Sequence, residues 1–180
     1  WVSSDEGIAL VQPTFFAEIN LRSSNFYVNS VTNTREGTIF ATDGHAVFKI
    51  QKVAEKYTSK KIFDRKESLI LSLASEGEAL WMGYKDGFVT LLKDGHLRKI
   101  ALPAKGNRLV NFLMIDQKQN LWGCQDGLPG VFKINPDFKI RYYDARKGLR
   151  SHLNVIRESK TGVIYGGGIG NESYLFRYDA

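Results

Sequence analysis

Short, mainly apolar runs of five to seven residues recur along this chain, each closed by a turn rich in Gly, Asp, Asn or Pro. In the clearest stretch the runs fall at 110–115, 120–124, 130–134 and 138–143. Asp116-Gln117-Lys118-Gln119 separates the first two, and Gln125-Asp126-Gly127-Leu128-Pro129 the next two. Both have the length and residues of hairpin connections, with Gly free to take positive φ. A second set lies at 69–75, 79–84, 88–92 and 97–102. The pattern predicts antiparallel units of four short strands. No apolar run approaches the ~20 residues that a membrane helix needs.

The units repeat. A small or polar turn, an aliphatic residue and an aromatic recur as Gly37-Thr38-Ile39-Phe40, Glu78-Ala79-Leu80-Trp81, Gln119-Asn120-Leu121-Trp122 and Gly162-Val163-Ile164-Tyr165, with Trp1 as the aromatic of an earlier copy. Successive anchors at positions 1, 40, 81, 122 and 165 stand 39, 41, 41 and 43 residues apart. A period of about 40–45 residues with four strands per unit is that of β-propeller blades. One blade cannot bury both faces, so the anchors are expected to pack between blades. The fold class is therefore all-β, an incomplete, open arc of about four blades in one partial β-propeller domain, 1–180, with blade pieces 1–25, 26–67, 68–107, 108–150 and 151–180. Trp1 begins at a second strand and 174–178 reads as a third strand, so partial blades are expected at both ends. Open blade edges should pair with the remainder of a parent propeller or with a second copy.

Composition sharpens this picture. A content of 43% apolar residues supports a sizeable core, and prominent Phe, Tyr, Ile and Val with 17 glycines favours strands and tight turns over helices. The first residue is Trp1 and no basic-then-apolar leader precedes it, as expected of a piece of a longer protein. Lone Cys124 forms no internal disulfide and, in an apolar strand, should be a buried, inert thiol. The net charge of +6 suits an anionic partner. Its densest basic stretch, 49–66, is interleaved with Glu55 and Asp64 and belongs to no nucleic-acid module, so nucleic acid is not an expected partner.

Ile70-Leu71-Ser72-Leu73 followed by Leu80-Trp81-Met82-Gly83 and Asp86-Gly87-Phe88 resembles the two-component regulator propeller repeat. So does Asn120-Leu121-Trp122-Gly123 followed by Asp126-Gly127-Leu128, and Gly148-Leu149 leading into 155–165. The resemblance extends over essentially the whole chain and is weaker at Trp1 and Phe40; Phe40 and Tyr165 replace the usual Trp. It implies the periplasmic sensor region of a bacterial hybrid histidine kinase or related regulator, many of which sense carbohydrate breakdown products. On that reading the chain binds a small-molecule or oligosaccharide ligand and passes a conformational signal toward a membrane helix. It would need no catalytic residue and no cofactor.

Direct searches for chemistry agree with a non-enzymatic reading. His45, His96 and His152 lie far apart, without metal-ligand spacing. Gly166-Gly167-Gly168-Ile169-Gly170 has Asn171 where a nucleotide loop needs its last Gly, and a strand follows. The Asp-Gly pairs at Asp43, Asp86, Asp94 and Asp126 are turn chemistry. One recurrence points to ligand binding: Arg22, Arg65, Arg108 and Arg150 each precede an innermost strand. In a propeller those connections share a face with the second-to-third strand loops, and the same face would then also show His45, Lys85, Gln125, His152 and Asn171. Together these residues form a candidate basic, hydrogen-bonding rim for an anionic ligand. Against this stands the frequency of arginine in exposed loops, and the distance from each Arg to the next anchor varies from 14 to 18 residues. A protein-binding scaffold and a propeller lyase or hydrolase remain the alternative functions.

Overall fold

Local turn chemistry builds the hairpins. In the computed structural model, which describes residues 2–4, 7–9, 19, 21, 27–53, 56–65, 67–102, 108–126, 130–149, 152–169 and 174–179, the strands form antiparallel sheets in chain order. A two-stranded sheet pairs β1 (Val2–Ser4) with β2 (Gly7–Ala9). The next sheet holds β3 (Ser30–Asn33), β4 (Ile39–Thr42), β5 (Ala46–Val53) and β6 (Lys56–Asp64). Then come β7 (Ile70–Glu76), β8 (Ala79–Tyr84), β9 (Phe88–Lys93) and β10 (His96–Ala101). The fourth sheet holds β11 (Val110–Ile115), β12 (Leu121–Gln125), β13 (Val131–Ile134) and β14 (Ile140–Tyr143). The last comprises β15 (His152–Glu158), β16 (Ile164–Ile169) and β17 (Tyr174–Tyr178). The first strands of the four larger sheets begin at Ser30, Ile70, Val110 and His152, which keeps the period read from the anchors.

The turn between first and second strands recurs as one motif. Thr34, Asp116 and Ser159 each accept a backbone N–H four residues on: Thr38 N at 3.3 Å, Asn120 N at 2.8 Å and Val163 N at 3.1 Å. The position before that donor is left-handed each time, at Gly37 (φ 85°), Gln119 (φ 62°) and Gly162 (φ 82°). The strand expected at 138–143 begins only at Ile140. Asn135 Oδ1 accepts Lys139 N at 2.7 Å and Phe138 is left-handed at φ 63°, so the turn runs through 139.

The sheets follow one another as an open arc in which the first strands are neighbours, β3 beside β7, β7 beside β11, β11 beside β15. Leu73 N donates to Ser30 Oγ at 3.0 Å and Ser72 Oγ donates to Val110 O at 2.8 Å across these junctions. Between consecutive sheets lies an apolar layer. Phe40 and Val47 meet Leu73, Leu80 and Met82; Ala74 and Val89 meet Leu113, Leu121 and Phe132; Trp122, Cys124 and Val131 meet Leu153, Ile156 and Ile164. Gly123 is part of this packing, since a Cβ there would run into Phe132 and Leu113. Phe40 and Trp122 are thus buried inter-blade anchors and Trp81 is half-buried. Tyr165 departs from the expectation. It is 37% exposed, on the face of its sheet turned away from β11–β14.

Candidate functional site

The connections between second and third strands meet the chain segments that enter the first strands, as the repeat requires. In the 42–46 turn, Asp43 Oδ1 accepts His45 N at 2.9 Å and Ala46 N at 2.7 Å. This rigid turn then grips the next blade: Arg65 N donates to His45 O at 2.9 Å and Ile70 N to Gly44 O at 2.7 Å. Within the next two blades Lys85 N donates to Leu69 O at 2.9 Å and Asp126 N to Leu109 O at 2.8 Å, extending the β7–β8 and β11–β12 ladders, while Gly130 bridges across to His152 of the following blade. One face therefore carries Arg65, Arg108, His45, Lys85, Gln125 and His152. Arg22, Arg150 and Asn171 lie outside the described residues.

The side chains on this face divide into two groups. Arg65 is held by packing. Its guanidinium donates to Glu67 Oε2 at 2.7 Å and lies 5.6 and 5.5 Å from the ring centroids of Tyr84 and Phe88. Those rings stack at 4.3 Å, with Lys99 Nζ 3.9 Å from the Phe88 centroid, so Phe88 lies in contact with two cations. The Glu67 hydrogen bond raises the Arg65 pKa further, and burial raises that of Tyr84 against the opposing Thr90 hydrogen bond. Gln125 is buried as a bracket: Tyr142 Oη donates to its Oε1 at 2.8 Å and its Nε2 donates to Arg108 O at 3.4 Å. Lys85 and His152 instead are exposed. His45 is half-buried, its Nδ1 enclosed and without a hydrogen-bond partner among the described residues. This face can present hydrogen-bonding and cationic groups to a ligand at Lys85, His152 and His45, on a backbone fixed by bonds within blades at Lys85 and between blades at Gly44 and His152.

Sequence reasoning missed a second feature, on the blade faces. From each anchor a cross-strand row runs outward: Phe40–Lys49–Lys60, Trp81–Leu91–Arg98 and Trp122–Lys133–Arg141. Cations recur in these rows, but turn length changes their spacing from the anchor, so no fixed interval reveals them. Among the described residues no three His, Cys, Asp or Glu side chains group as metal ligands, and no helix is long and apolar enough to cross a membrane.

No family model matches the chain, and no curated protein does. Solved structures do. A virginiamycin B lyase from Staphylococcus aureus aligns at TM-score 0.67 with 13% identity, over 98% of this chain and 61% of that one. The extracellular domain assigned to a one component system of B. thetaiotaomicron aligns at TM-score 0.67 with 17% identity, over 90% of this chain and 23% of that one. A gluconolactonase from Xanthomonas campestris aligns at TM-score 0.63 with 10% identity, over 85% of this chain and 58% of that one. The chain spans 57–61% of the length of the lyase structures it matches. At these identities the likeness is one of fold, and proteins as different as a lyase, a gluconolactonase and the extracellular domain of a one component system share it. The chain has the β-propeller fold, arranged as an open arc of blades.

Proposed function

We propose that this chain is a ligand-sensing propeller segment from the periplasmic sensor region of a bacterial two-component regulator of the hybrid histidine kinase type. Its ligand is a small molecule or oligosaccharide with anionic character. The observation that carries this reading is the construction of the channel face. Ile70 N–Gly44 O and the Gly130–His152 bridge tie neighbouring blades, Lys85 N–Leu69 O closes its own blade, and the Lys85 and His152 side chains project into solvent with no partner among the described residues. A preorganised backbone with uncommitted polar side chains favours binding, because little ordering entropy is lost when the ligand arrives. The repeat resemblance supports the sensor assignment, as does the fold shared with an extracellular domain of a one component system. The carboxylate of Asp43 caps its own turn, which leaves it unsuited to acid–base catalysis.

A scaffold reading has one observation in its favour. Leu175, on the face of β15–β17 turned away from β11–β14, is 78% exposed. Isothermal titration of the chain with a panel of neutral and acidic oligosaccharides separates the two readings. The sensor reading expects an acidic member to bind, and the Lys85→Ala, His152→Ala double variant to lose at least tenfold in affinity. Binding of no member, or affinity unchanged in the double variant, overturns it.

A further inference from the structure

The two junctions between four-stranded blades are alike in register but are not filled alike. At the junction of β7–β10 with β11–β14, the turn after β13 sends Phe138 against the row Trp81–Leu91–Arg98 of the preceding blade. The Arg98 guanidinium lies 3.6 Å from its ring centroid and the Trp81 ring 6.3 Å away. Phe138 reaches this place from a left-handed backbone (φ 63°) that a bulky residue seldom adopts. A flat ring between one blade's turn and the preceding blade's face is thus what this geometry accepts.

At the junction of β3–β6 with β7–β10 the equivalent turn is shorter. Ile134 and Ile140 hold the places opposite Leu121 that Leu92 and Leu97 hold opposite Leu80, and residues 135–139 join the first pair where 93–96 join the second. The shorter turn closes on Asp94 and Gly95, both left-handed at φ 51° and 74°. Gly95 sends no side chain across, and a Cβ there would meet nothing within 4 Å. What remains between the two blades is a cleft of about 550 Å³. Phe40, Ile62 and Phe63 form one wall, and Leu80, Leu92 and Leu97 the other. Phe40 and Leu80 belong to the buried core of this junction, whereas Leu97 is 44% exposed. The charged residues among the described lining are Lys49, Glu78 and Asp94. Lys49 Nζ donates to both Glu78 carboxylate oxygens at 3.2 Å, so these two charges offset each other across the junction. The exposed Asp94 carboxylate has no partner among the described residues. Lys60, next on the Phe40 row, is exposed and lies outside this lining.

We propose that this inter-blade cleft binds a small aromatic amine, its ring lodged between Phe40 and Leu92 as Phe138 is lodged one junction later, and its ammonium group paired with Asp94. The apolar walls supply most of the affinity, because a ring entering them leaves water on both faces. Phe40 and Phe63 suit a ring in particular, since aromatic pairs gain beyond their buried area. Charge then selects among ring compounds: the uncommitted charge of the described lining is a carboxylate, which attracts an ammonium group and repels an acid. The volume fits, since small-molecule clefts run from roughly 300 to 1,000 Å³. The cleft lies at the end of the blades that carries the 76–79 and 93–96 turns, opposite the end with Lys85 and His152. The proposal does not rest on the channel-face reading.

The test is amide-resolved NMR titration of the chain with 2-phenylethylamine, with 3-phenylpropionate as an acid of similar shape and ethylamine as an amine without a ring. The aromatic amine is expected to shift the amides of Leu92, Gly95 and Leu97, the acid to bind more weakly, and ethylamine to leave them in place. Asparagine adopts left-handed backbone readily, so Asp94→Asn should fold as the parent does. It should weaken the amine about threefold, the scale of an exposed ion pair. Leu97→Lys, at an exposed position, removes part of a wall and adds a like charge, and should weaken it by roughly tenfold. Lys85→Ala should leave it unchanged, which separates failure here from failure of the channel-face reading. No shift with 2-phenylethylamine at millimolar concentration overturns the proposal. So does equal affinity for the acid, which would reduce the cleft to an apolar crevice, or unchanged affinity in both cleft variants, which would put the amine elsewhere.

Discussion

Trp122 Nε1 donates to Asp116 Oδ2 at 2.7 Å, and both residues are buried at the junction of β11–β14 with β15–β17. The same carboxylate accepts Asn120 N at 2.8 Å and the Asn120 side-chain amide at 3.0 and 2.8 Å. One side chain therefore closes the turn and fixes the anchor that the next blade packs on. Asp116→Ala leaves the indole and amide donors buried without an acceptor, each such loss costing about 1–3 kcal/mol. Urea denaturation is expected to show a loss of about 2–3 kcal/mol, within the range of a broken buried network. A loss below 0.5 kcal/mol would mean that water replaces the carboxylate.

Gln119 occupies the left-handed position that Gly37 and Gly162 occupy in the equivalent turns, and its side chain is exposed. An L-residue with a Cβ is disfavoured there by about 1 kcal/mol, whereas glycine is not. Gln119→Gly should stabilise the chain by about 0.5–1 kcal/mol, less whatever backbone entropy the unfolded glycine gains. Thermal unfolding should register it as a rise in Tm of a few degrees. A fall in Tm would show that the Gln119 side chain contributes more than the strain it causes.

Burial pushes the Cys124 thiol from its ordinary 9.0 up to about 12, and burial with the Tyr178 hydroxyl pushes Tyr143 from 10.0 up to about 12. Both groups are held neutral in the fold and ionise earlier once unfolded. Their stabilisation is full below pH 9 and is lost as pH rises from there through 12. Denaturation midpoints are expected to be flat across pH 7–8.5 and to fall steeply above pH 9.5. A thiol reagent at pH 8 should leave Cys124 unmodified in the folded chain and modify it in urea. Rapid labelling of the folded chain would contradict the burial argument.

Tyr165 and Leu175 are 37% and 78% exposed on the face of β15–β17 turned away from β11–β14. An apolar blade face without a described neighbour should associate in concentrated solution. Light scattering is expected to show mass rising with concentration, and Leu175→Lys to suppress the rise. A strictly monomeric parent chain would sink this expectation.

The sequence by itself determined the blade. Hairpin turns at Asp116–Asn120 and Ser159–Val163 depend on residues only four apart, and Phe40, Trp81 and Trp122 recur because every blade needs the same inter-blade contact. The repeat also placed Lys85, Gln125 and His152 on one face, since meander topology alone decides which loops share an end. What each side chain does there was decided by the tertiary structure. Gln125 is consumed by Tyr142, seventeen positions on, and Arg65 by the Tyr84–Phe88 stack, contacts that no local pattern specifies. Tyr165 is an anchor by register and still reaches solvent, because burial depends on whether a sheet packs against that face.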